Sequence, residues 1–259
     1  MRFLPLLLLL AVGCGDADLD PPPRATAGPT EAAEQATEVD TADNTTTADS
    51  TLTVLFFGDS LTAGYGLPDP DLAYPALVGA RLEEALGVPV EVVNAGVSGE
   101  TSAGGRGRIA WALRQTTPDV FVLALGANDG LRAVDPQTTR ENLGAILDAV
   151  EEAAPGARLV VAGMEALPNY GRDYTDRFRA VFPEVAEAHG AALIPFLLDG
   201  VAGESSLNQS DGVHPTAEGQ RIIAETVAEV VLPVARRAAG WVPAPPASVR
   251  PRTNRGGEG

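Results

Sequence analysis

The chain has 259 residues, room for one sizeable domain with extensions, and 45% of them are hydrophobic, enough for a packed core. Its formal net charge is −17, and all 18 of its basic residues are arginine. Such a chain offers no basic stripe to nucleic acid or to anionic headgroups, which excludes a nucleic-acid partner.

In chain order, residues 1–13 come first: Met-Arg, an apolar run from Phe3 to Val12, and Gly13. One positive charge, a short apolar stretch and a small residue make a secretory signal, too short to cross a bilayer as a mature helix. Cys14 follows directly and is the only cysteine, so no intramolecular disulfide can form and the fold must stand on its core. Ala11-Val12-Gly13-Cys14 resembles a bacterial lipobox, with Ala11 where Leu is usual. The resemblance implies cleavage before Cys14, lipidation there, and a place in the bacterial cell envelope facing the periplasm or the cell surface. A plain signal peptide with an incidental cysteine is the alternative. Residues 14–50 are Asp, Glu, Thr, Ala and Pro with almost no large apolar side chain. They bury too little to offset ordering entropy, so a disordered tether of roughly 30–35 Å r.m.s. is expected.

A regular alternation occupies residues 51–238. Short apolar runs at Thr53–Phe57, Val90–Asn94, Val120–Leu125, Leu159–Ala162 and Ala192–Phe196 predict strands buried on both faces. Helical periodicity lies between and after them, at Tyr74–Leu86, around Ile109–Arg114, and at Thr138–Ala153, Tyr174–His189 and Ala217–Ala238. Gly87 and Gly190 stand where helix C-caps would fall. Five such units predict an α/β fold, a three-layer α/β/α domain with an open, mostly parallel five-stranded sheet. Residues 239–259, rich in Pro, Arg and Gly, predict a second disordered tail.

Ligands of such sheets bind beyond the carboxyl ends of the strands. There the first strand is followed by Gly58-Asp59-Ser60-Leu61, which puts a serine hydroxyl on a tight, exposed turn. An N-cap serine without further duty would look the same. No G-x-G-x-x-G follows, and with no lysine in the chain a P-loop is excluded. The second strand ends in Asn94-Ala95-Gly96-Val97-Ser98-Gly99-Glu100-Thr101 and the third in Gly126-Ala127-Asn128-Asp129-Gly130. Small residues there let backbone N–H groups approach a ligand closely, and Asn128 adds a neutral donor. Taken alone, each is an ordinary turn.

Asp211-Gly212-Val213-His214-Pro215 carries more. Of the two histidines, His189 sits at a helical C-terminus and reads as structural. His214 precedes Pro215, which can open the final helix at its first position. Asp211, three residues earlier, can accept from one imidazole nitrogen and leave the other as a base, which a serine nucleophile requires. As a metal site, Asp211 and His214 would be two ligands with no further His or Cys, so no metal is expected.

These segments, in this order, resemble the conserved blocks of the SGNH (GDSL) hydrolases: Gly58-Asp59-Ser60-Leu61 the first, Gly96 the second, Gly126–Asp129 the third, Asp211–Pro215 the last. The resemblance spans roughly residues 52–236 and is nearest to bacterial lysophospholipases, arylesterases and acyl-CoA thioesterases. It implies a flavodoxin-like fold, Ser60 as nucleophile, His214 as base, Asp211 as its orienting acid, and an oxyanion hole of the Ser60 and Gly96 N–H groups with the Asn128 amide. It implies a small ester or lipid substrate and no cofactor. Carbohydrate O-acetylesterase activity, or an inactive lipid-anchored binding protein on the same fold, are the competing readings.

Overall fold

The computed structural model describes residues 51–240. The predicted signal, Cys14, the tether and nearly all of the tail lie outside those residues.

The apolar run after Thr51 becomes β1 (Leu52–Gly58), and the four remaining strands are β2 (Val90–Gly96), β3 (Val120–Ala124), β4 (Arg158–Ala162) and β5 (Ala192–Ile194). All pair in parallel in the order β2-β1-β3-β4-β5. Between the strands run α1 (Ser60–Ala63), α2 (Tyr74–Leu86), α3 (Ser102–Gln115), α4 (Ala127–Leu131), α5 (Pro136–Ala153) and α6 (Arg172–Ala188), with α7 (Ala217–Ala238) last. Helix α2 packs against α7, and α3 packs against α5, which in turn meets α6; these are the two outer layers of the three-layer α/β/α fold.

The middle of the sheet is the core. Leu55, Phe56 and Phe57 of β1 and Phe121 and Val122 of β3 are fully buried, as a strand between two helical layers must be. Truncating one of these phenylalanines to alanine is a change of the kind that costs about 3–5 kcal/mol.

Burial on both faces does not extend to the sheet's edges. Strand β2 is half exposed along its length, and β5 is three residues long and only partly covered. Val-Glu-Val-Val in β2 reads as an apolar run, yet an edge strand has a neighbour on one side only and its outer side meets solvent. β5 stops before Pro195, which has no N–H to continue a ladder.

The chain moves from β1 outward to β2, then returns to β3 on the other side of β1. That reversal opens a crevice beyond the carboxyl ends of β1 and β3, the place where open α/β sheets hold ligands. Ser60 follows β1 and Asn128 follows β3.

Candidate active site

Ser60 opens the four-residue α1, and the buried Asp59 before it is the N-cap: its Oδ1 accepts from the Leu61 N–H at 3.0 Å. Burial pushes the Asp59 carboxyl up to about 6, against the lowering effects of the Leu61 N–H and the Asn128 amide. Asn128 donates from Nδ2 to Asp59 Oδ2 at 3.5 Å.

Across the crevice, His214 stands on the loop between β5 and α7. Its Nε2 lies 3.0 Å from Ser60 Oγ and its Nδ1 lies 2.7 Å from Asp211 Oδ2. The other Asp211 oxygen accepts from the Val213 and His214 N–H groups at 2.9 and 3.0 Å. The backbone N–H of His214, then its side chain, then the Val213 N–H hold the Asp211 carboxyl well below the usual carboxylate range. It is therefore an anion at neutral pH, and an anion on Nδ1 fixes the tautomer that leaves Nε2 facing the serine.

Pro215 is not the first residue of α7. Thr216 is the N-cap, its hydroxyl accepting from the Gly219 N–H, and Pro215 pairs instead with Asn208 in a single antiparallel bridge. That bridge, with the Gln209 N–H donating to the His214 carbonyl at 2.7 Å, fixes the histidine loop.

Two residues the sequence did not single out brace the histidine and its loop. The Tyr65 ring lies 4.5 Å from the His214 ring, and Gln209 donates from Nε2 to both the Tyr65 carbonyl (2.8 Å) and the Pro215 carbonyl (3.0 Å). The tyrosine side of the cleft and the histidine loop are thereby tied together.

A cleft of about 310 Å³ lies over Ser60, bounded by Tyr65, Ser98, Gly99, Asn128 and His214, with Leu61, Leu131 and Val213 as apolar wall. Gly96, the expected second-block donor, does not line it. Its N–H is spent on Asn94 Oδ1 at 3.0 Å, and a Cβ on it would come within 2.3 Å of the Ala63 nitrogen. Gly96 is thus a residue of close approach between β2 and α1. Gly99, three residues on, does line the cleft, with φ at 79°, and its N–H meets no acceptor among the described residues.

Asp129 serves the frame. It is buried and accepts from the Ser102 N–H at 2.8 Å and the Ser102 hydroxyl at 2.5 Å, pinning the start of α3 to α4. His189 is the C-cap of α6, with Nδ1 at 3.3 Å from Glu151 and 4.0 Å from Asp148. Those three side chains are the one group of His and carboxylates, among the described residues, close enough to surround an ion; they do not line the cleft.

A serine, an imidazole and a carboxylate joined by hydrogen bonds at the mouth of a cleft make a site of the serine-hydrolase type. Residues 56–222 match the GDSL-like Lipase/Acylhydrolase family, and the chain belongs to that family. It is 38% identical over 182 residues to Esterase TesA of Pseudomonas aeruginosa, covering 70% of this chain and 89% of that one. It is also 38% identical over 176 residues to an arylesterase of Vibrio mimicus, covering 68% and 86%. Among solved structures it is similar to AlinE4, an SGNH-hydrolase family esterase, with a TM-score of 0.59 and 38% identity over 75% of this chain and 98% of that one. The chain is an SGNH-type carboxylic ester hydrolase.

Proposed function

We propose that Ser60 is the nucleophile of this esterase, His214 its base and Asp211 the group that orients His214. The observation that carries the reading is the continuous chain from Asp211 Oδ2 to His214 to Ser60 Oγ, at 2.7 and 3.0 Å. Ser60 Oγ attacks the acyl carbonyl while its proton passes to His214 Nε2. The tetrahedral oxyanion is received by the Ser60 and Gly99 N–H groups and the Asn128 amide; one such donor is worth roughly a hundred- to a thousandfold in rate. Collapse of the intermediate breaks the ester bond, and His214 returns its proton to the leaving oxygen or sulfur. Water, deprotonated by His214, then releases the acid from the acyl-enzyme.

The substrate is an acyl or aryl ester, or a thioester, of the arylesterase, lysophospholipase or thioesterase kind. Leu61, Tyr65, Leu131 and Val213 give the cleft an apolar wall, which suits an acyl or aryl group better than a carbohydrate. The intact hydrogen-bonded triad speaks against an inactive binding protein. We further propose export and attachment to a membrane of the bacterial envelope through lipid on Cys14, on the strength of the leader that ends at Gly13. A panel of p-nitrophenyl acetate, longer p-nitrophenyl esters, lysophosphatidylcholine and acetylated xylan tests the substrate class. Turnover of the acyl and aryl esters is expected; turnover of acetylated xylan alone would overturn it.

A further inference from the structure

Gly99 has no side chain to hold it, and its φ of 79° lies where glycine is favoured. Its N–H must nevertheless be fixed, because an oxyanion donor acts only when it sits about 2.7–3.1 Å from the oxygen. The residue after it supplies a handle. Glu100 is largely buried and receives Arg108 through both oxygens: Nε lies 2.7 Å from each, and Nη2 lies 2.5 Å from Oε2. The same Nη2 donates to the Ala95 carbonyl at 2.7 Å and the Gly58 carbonyl at 3.2 Å. The guanidinium lies over the Phe57 ring, 3.8 Å from its centroid.

One planar group on α3 therefore grips three places at once: the end of β1 two residues before Ser60, the end of β2, and the residue following Gly99. Arginine suits this task because its donors lie in a rigid fork, whereas a lysine ammonium is a point charge on a flexible stem. A second arginine, Arg132, just after the helix carrying Asn128, donates to the Gly99 carbonyl at 3.2 Å.

We propose that Arg108, acting through Glu100, is a positioning residue that holds the Gly99 N–H against Ser60. The proposal rests on the reading of Ser60 as nucleophile and Gly99 as donor given above. An ion pair that served only the fold would alter stability; a positioning pair alters the rate constant and the preference for an oxygen over a sulfur at the developing anion. Sulfur accepts hydrogen bonds weakly, so a damaged oxyanion hole discriminates less between an ester and its thionoester.

The test is steady-state kinetics of the full chain and its Arg108→Gln, Glu100→Gln, double and Asn128→Ala variants, on p-nitrophenyl acetate and its thiono analogue. Glu100→Gln keeps the volume and an oxygen acceptor, so it carries the test if Arg108→Gln does not fold. Each single variant is expected to lower kcat by about ten- to a hundredfold with KM within about twofold. The ester-over-thionoester preference should shrink as it does in Asn128→Ala, and the double variant should be no slower than the worse single one. Folded variants that keep kcat, or that lose rate with an unchanged preference while Asn128→Ala shifts it, overturn the proposal alone. If Asn128→Ala and Ser60→Ala also leave the rate intact, the reading of the site falls, and the proposal with it.

Discussion

Asp59→Asn is expected to gain stability over the parent as pH rises from about 4 to about 6. The carboxyl is buried between β1, α1 and Asn128, and its folded value is about 6 against an ordinary 3.8. Between those values the unfolded chain has released the proton and the folded chain still holds it. Stability from this group is therefore complete below about pH 4 and falls as pH rises to about 6, after which it is flat. At 1.36 kcal/mol per pH unit the loss is about 3 kcal/mol. The amide that replaces the carboxyl keeps an oxygen for the Leu61 N–H and carries no charge, so the variant escapes the loss, while its NH2 meets the Asn128 donor at a cost that does not vary with pH. Urea unfolding followed by circular dichroism at pH 4, 5, 6 and 7.5 gives the difference between variant and parent directly. That difference should climb by about 3 kcal/mol between pH 4 and pH 7.5, which for a domain of this size is a gain of about 6–12 °C in Tm. A difference that stays constant with pH would show that desolvation of the Asp59 charge is not what the variant relieves.

His214→Ala should abolish ester hydrolysis while His189→Ala leaves kcat and KM within about twofold, because only His214 reaches Ser60; activity that dies with His189 alone would reverse the assignment. Cys14→Ser should move the protein from the detergent fraction of a bacterial host to a soluble or unprocessed form; if it is processed normally and still fractionates with membranes, the lipid anchor is wrong and a plain signal is the better account.

The central strands were legible because burial on both faces leaves a mark in sequence: Leu-Thr-Val-Leu-Phe-Phe and Val-Phe-Val-Leu-Ala leave little room for another reading. The edge position of β2 was not legible, since Val-Glu-Val-Val carries the same residues and only the strand order decides which strands have one neighbour. Helix α3 begins at Ser102, well before its periodicity shows at Ile109. Its first turns carry Gly104, Gly105 and Gly107, which suppress a helical pattern. Yet Gly105 is there for packing, because a Cβ would come within 2.3 Å of Leu125 Cδ1. The serine, aspartate and histidine could be read because each chemical role demands its own residue type. A backbone donor has no such signature. That the Gly96 N–H is spent on the Asn94 side chain is known only once β2 is seen to end beside α1. Tyr65 and Gln209 gave no signal for the same reason: they meet each other across 144 residues of chain.

Ser60 is the residue on which ester hydrolysis should depend most directly. Incubating the full chain with a p-nitrophenyl phosphonate, releasing one equivalent of p-nitrophenol, and mapping the modified peptide by mass spectrometry tests it in one experiment. The phosphonyl group should be found on Ser60 and nowhere else, and Ser60→Ala should fold normally, take no label and lose hydrolysis by up to about a millionfold. Label on another serine, with Ser60→Ala still turning over esters, would contradict the account.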